Sequence, residues 1–117
     1  MKTHIDLDVW KFSMDFVENI YKLSANFPKE EMYGLTSQIR RAAVSIPSNI
    51  AEGASRQSRK EFVQFLYISL GSLSEVETQL MLSERLQFVE NIQPILNNAI
   101  TIKKMLNGLI THQKGKF

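Results

Sequence analysis

Ile5, Val9, Phe12, Phe16, Ile20 and Leu23 recur at spacings of three and four. That period places them on one face of a helix over residues 5–25. Trp10, Val17 and Tyr21 widen the stripe. Asp6 and Asp8 sit where a helix N-terminus favours negative charge, and Asn26-Phe27-Pro28 ends the segment. A second pattern, Leu35, Ile39, Ala42, Ala43, Ile46 and Ile50, predicts a helix over 35–53, opened by Thr36 or Ser37 as cap and stopped by Gly53. Pro47 falls inside it and is read as a kink, because the apolar period continues beyond it. Ser58-Arg59-Lys60-Glu61 matches a capping box and opens the longest helix, 58–86, with Phe62, Leu66, Leu73, Val76 and Leu80 as its core stripe. The last helix is expected over 89–111. Ile92, Ile95, Leu96, Ala99, Ile102, Leu106, Leu109 and Ile110 face inward, and Pro94 lies near its first turn.

No segment alternates with period two, so the chain is expected to be all-α, one four-helix-bundle domain spanning residues 1–117. Short joints after the second and third helices predict an antiparallel, up-down-up-down order. The third helix carries more apolar surface than one core can use: across Phe62 to Leu70 only Gln64 and Ser69 are polar. Phe65, Tyr67 and Ile68 are therefore candidates for an interface between copies of the chain. The alternative is that loops and the ends of the bundle cover them.

An apolar fraction of 44% supports a real core, and zero cysteines exclude disulfides and thiolate chemistry. The start of the chain has no apolar stretch of signal-peptide kind, and no run suits a membrane span. A cytoplasmic protein is expected. The net charge is only +2, but charge alternates in sign along the chain. Residues 36–60 hold Arg40, Arg41, Arg56, Arg59 and Lys60 against Glu52 alone. Residues 61–90 are acidic, and 91–117 hold Lys103, Lys104, Lys114 and Lys116 with no acid.

Catalytic patterns are missing. Neither His4 nor His112 completes a Glu-x-x-His metal pair, and both lie near expected frayed ends. The five glycines form no phosphate-cradling loop, and the serines have no partner base. No enzyme, cofactor, metal or small-molecule substrate is expected. Arg41, Ser45, Ser48 and Glu52 form a polar stripe opposite the apolar one, either a binding surface or a hydrogen-bonded seam against another helix or subunit. Arg56, Arg59 and Lys60 surround a helix N-terminus, where they would hold a phosphate or form a solvated basic corner.

Several runs carry a family likeness: Asp8-Val9-Trp10, Phe27-Pro28-Lys29-Glu30-Glu31, Tyr33 to Gln38, Arg40 to Gly53, Lys60-Glu61-Phe62 and Glu75 to Leu80. Over residues 6–111 the chain resembles the bacterial four-helix-bundle proteins encoded in intervening sequences of large-subunit ribosomal RNA genes. The resemblance implies a closed bundle and a homopentameric ring. A related branch is similar to the accessory protein of diversity-generating retroelements, a strongly basic pentamer that binds nucleic acid, whereas this chain is nearly neutral. Two functions follow as expectations. One is a multimeric RNA- or DNA-binding accessory protein using Arg40, Arg41, Arg56, Arg59 and Lys60. The other is a protein-interaction scaffold whose basic helices complement its acidic ones.

Overall fold

The computed structural model describes residues 3–116. Four helices dominate, α1 (Asp8–Ser24), α2 (Leu35–Ala54), α3 (Arg59–Arg85) and α4 (Gln93–Lys114). Single 3-10 turns at His4–Asp6 and Lys29–Glu31 precede α1 and α2, and the described residues contain no strand. α1 packs on α2 and α4, and α3 packs on α2 and α4, so each helix touches two neighbours around a shared core. Between α2 and α3, Ser45 meets Ser72, Ile46 meets Ser69 and Gly53 meets Phe62.

The core is built from the apolar stripes. Ile39, Ala43, Ile46 and Ile50 of α2 are fully enclosed with Leu66, Leu73, Val76 and Leu80 of α3. Ala99, Ile102 and Leu106 close it from α4, and Phe16 and Ile20 from α1. Two expected core positions in the first segment are exposed, Ile5 and Phe12. Ile5 lies in the 3-10 turn, out of phase with α1. On α1 the buried line runs Val9, Ser13, Phe16, Ile20, Ser24 and so misses Phe12. The two serines tolerate burial because each hydroxyl donates to the carbonyl four residues back, Ser13 to Val9 and Ser24 to Ile20, both at 2.7 Å.

Helix ends also depart from the sequence reading. Gly34 caps α2, and the Glu31 carboxylate accepts from the Leu35 amide at 3.1 Å; Thr36, expected as a cap, is buried. Ser58 does cap α3, accepting from the Glu61 amide at 3.1 Å. The Glu61 carboxylate accepts from the Ser58 hydroxyl rather than from its backbone. α3 closes in a Schellman turn: Phe88 donates to the Ser83 carbonyl and Gln87 to that of Glu84, with Gln87 at φ 65°. The chain then runs to Ile92, so α4 starts at Gln93 rather than near Val89, with Pro94 in its first turn.

α2 is helical on both sides of Pro47. Pro47 cannot donate to the carbonyl of Ala43, and in the same region α3 lends a donor: Ser69 bonds the Ile46 carbonyl at 2.9 Å.

Candidate nucleic-acid interface

The five candidate cations do not form one patch. Arg40 and Arg41 lie in the first two turns of α2, whereas Arg56, Arg59 and Lys60 surround the α2–α3 turn. About 20 Å of helix separates the groups, at 1.5 Å per residue.

Arg40 is half-buried and committed to the fold. Its Nε donates to the Ser24 hydroxyl at 2.8 Å and its terminal nitrogen to the Tyr21 carbonyl at 3.2 Å. The guanidinium also lies 4.6 Å from the centroid of the Tyr21 ring. These contacts tie α2 to the last turn of α1, where the negative end of the helix dipole favours a cation, and they remove Arg40 from the candidate interface.

Arg41 is exposed beside a polar groove between α2 and α3, together with Gln38, Glu75 and Gln79. At its floor Ser72 donates to the Ser45 hydroxyl at 2.8 Å, and Asn49 donates to Ser45 at 2.8 Å. Ser45 of the predicted polar stripe thus belongs to an interhelical seam, while Arg41, Ser48 and Glu52 remain exposed.

At the other end of α2 the chain turns through Ser55–Ser58. Ser55 bonds back to Ala51 and Glu52, and Arg56 to Gly53, so the turn is tight and the next helix starts at Arg59. Gly53 permits this. A methyl group there would sit 2.6 Å from Cβ of Phe65 and 2.9 Å from the Phe62 ring. Arg56 then lies with its guanidinium 4.8 Å from the Phe65 ring centroid and pairs with Glu52 at 3.4 Å. Phe65 is half-buried, with Arg56 over its ring.

Arg59 reaches across to α4, donating to Gln113 at 3.3 Å. Between the α2–α3 turn and the end of α4 lies an open cleft of about 480 Å³ lined by Arg56, Arg59, Phe62, His112, Gln113 and Lys116 among others, none of them acidic. Glu52 and Glu61 stand outside it, engaged with Arg56 and Ser58. Lys60 is exposed and makes no ion pair among the described residues.

His112 and Lys116 are the members that the sequence reading missed. Their signal was the acid-free stretch 91–117, but α4 reaches Lys114 instead of fraying near 111, which carries these residues to the α2–α3 turn. Of the remaining interface candidates, Tyr67 and Ile68 are about half exposed at 48% and 50%.

Among the described residues, no three His, Asp or Glu side chains are grouped to hold a metal, and no helix is long and apolar enough to cross a membrane.

The sequence matches the 23S rRNA-intervening sequence protein family over residues 5–108. The chain belongs to that family. A solved structure with the same fold is a protein of unknown function from the S23 ribosomal protein family of Bacteroides thetaiotaomicron. It is 31% identical, its TM-score is 0.81, and the match covers 88% of this chain and 95% of that one. No curated protein matches the sequence.

Proposed function

We propose that the chain is a non-enzymatic cytoplasmic accessory protein, assembled from copies of itself, that holds the phosphodiester backbone of RNA or DNA at its basic end. The observation that carries this reading is the acid-free cleft where Arg56, Arg59, His112 and Lys116 converge. Cations in an open cleft suit phosphates, which are recognised by charge and require no base-specific geometry.

The bundle is antiparallel, up-down-up-down. In support, contact partners on α3 fall from Ser72 to Phe62 as those on α2 rise from Ser45 to Gly53. The assembly is a ring, with five subunits expected from the family likeness. On α3, Ile68, Gly71, Glu75, Thr78 and Leu82 are all exposed at spacings of three and four, the period of a seam between helices. Among the described residues, nothing packs against the position a Cβ on Gly71 would take, which leaves room for a neighbour. Ile68 and Leu82 would supply the apolar contacts. A ring repeats the basic cleft, so modest contacts per subunit sum on one long ligand.

The test is binding of structured RNA and duplex DNA across a salt series. Raising salt from about 50 to 200 mM should weaken binding by orders of magnitude if roughly six or more phosphates are engaged. Replacing Arg56, Arg59 and Lys60 with glutamate should abolish binding and leave the oligomer intact. Unchanged affinity in that variant, or no binding by the wild type at low salt, favours the scaffold reading. That second reading draws on the Lys103–Glu77 pair, 3.1 Å apart, in which basic α4 answers acidic α3.

A further inference from the structure

We infer that the nucleic acid held at this end is single-stranded, and that Tyr67 is the platform on which one of its bases stacks. The inference rests on the phosphate-binding reading above and narrows its ligand.

Tyr67 projects from α3 with about half of its surface in water. Its hydroxyl accepts from Lys114 at 3.3 Å, and the same ammonium lies 5.7 Å from the ring centroid. The polar tip is thus already bonded to Lys114, and about half of the residue remains open to solvent. Lys60 precedes it by seven residues, two turns of helix, and so shares its face of α3. Arg59, in the cleft, is eight residues away, about 12 Å along the axis. Gln113, which bonds Arg59, adjoins Lys114. Beyond the cleft residues Arg59 and Gln113, the α3–α4 surface thus carries Lys60, Lys114 and the half-exposed Tyr67.

Cations that follow a backbone together with an aromatic ring that takes a base are the two parts of a single-strand site. In a duplex the base faces are stacked on one another, and phosphates alone reach a protein surface of this kind; an unpaired base presents its face. A protein partner covering Tyr67 would have to desolvate Lys60 and Lys114 as well, whereas a nucleic-acid strand brings the countercharge with it.

The test is a fluorescence-anisotropy titration at low salt with four labelled probes of equal length: oligouridylate, its deoxy counterpart, an oligouridylate carrying abasic residues, and a duplex. Tyr67→Ala should weaken binding of the base-bearing single strands by about tenfold and change duplex and abasic affinities by less than about twofold. Tyr67→Phe should bind as the wild type does, because the ring is kept. Tyr67→Leu should behave as Tyr67→Ala does. The ribose and deoxyribose probes distinguish an RNA from a DNA ligand.

The inference is overturned if Tyr67→Leu matches the wild type, if Tyr67→Ala weakens the abasic strand equally, or if light scattering shows that Tyr67→Ala has dissociated the oligomer. Equal binding of every probe, unaffected by Tyr67→Ala, also overturns the platform but leaves the phosphate cleft standing. No binding of any probe removes both.

Discussion

Arg40 and Ser24 meet across the α1–α2 interface, the arginine Nε donating to the serine hydroxyl at 2.8 Å while that hydroxyl donates to the Ile20 carbonyl at 2.7 Å. A cation that would be counted toward an interface from sequence is here a structural clamp on the end of α1. Its neighbour in sequence, Arg41, is exposed and also borders the polar groove between α2 and α3.

Arg40→Met keeps the aliphatic stem and removes the guanidinium bonds to Ser24 and Tyr21. Hydrogen bonds from a charged group contribute about 1.5–3 kcal/mol, here mainly through the part-buried bond to Ser24. Thermal unfolding should show a loss of that order. Affinity for RNA or DNA should be unchanged, and a loss of affinity in a folded variant would return Arg40 to the interface.

Gly53→Ala should destabilise the chain by about 1–3 kcal/mol, because its methyl group would overlap Phe65 and Phe62. The sign is informative. Helix propensity alone would make alanine more stable than glycine by about 1 kcal/mol. Denaturant unfolding decides between them, and a rise in stability would mean that α2 and α3 can separate at this point without cost.

Gly71→Ala should act in two directions. Among the described residues, nothing outside the α3 backbone lies within 4 Å of the added methyl, so the dissociated subunit should gain about 0.5–1 kcal/mol from propensity. In the proposed ring the added methyl falls between two helices and should weaken assembly. Light scattering and thermal unfolding over a dilution series separate the two effects, and unchanged assembly would place the seam elsewhere.

Ser69→Ala removes the hydrogen bond from α3 to the Ile46 carbonyl beside Pro47. A loss of about 1 kcal/mol is expected, a fall of several degrees in Tm. An unchanged Tm would mean that the α2 backbone around Pro47 needs no help from α3.

Gln87→Gly should stabilise the fold by about 0.5–1 kcal/mol, since Gln87 holds a left-handed φ of 65° that glycine adopts freely. Chemical denaturation should report a higher midpoint with an unchanged slope.

The sequence by itself determined the four helices and most of their buried faces, because helical period, proline placement and the Ser58 cap are local properties of the chain. Leu66, Leu73, Val76 and Leu80 could take no other side of α3 without exposing a whole stripe to water. The choice between two adjacent lines on α1 was not local. Burial of Ser13 and Ser24 in place of Phe12 depends on how closely α1 approaches its neighbours, and the hydroxyls are accommodated by bonds back to their own helix. The site depended on tertiary structure most of all. A cation's availability is set by what lies across from it: Ser24 and Tyr21 engage Arg40 from sixteen and nineteen residues away, and Phe65 stacks under Arg56. The cleft itself exists because α4 runs on to Lys114 and brings His112 and Lys116 beside Arg59, more than fifty residues earlier in the chain. Short-range pattern carries no information about such a meeting; only the packing of the helices decides it.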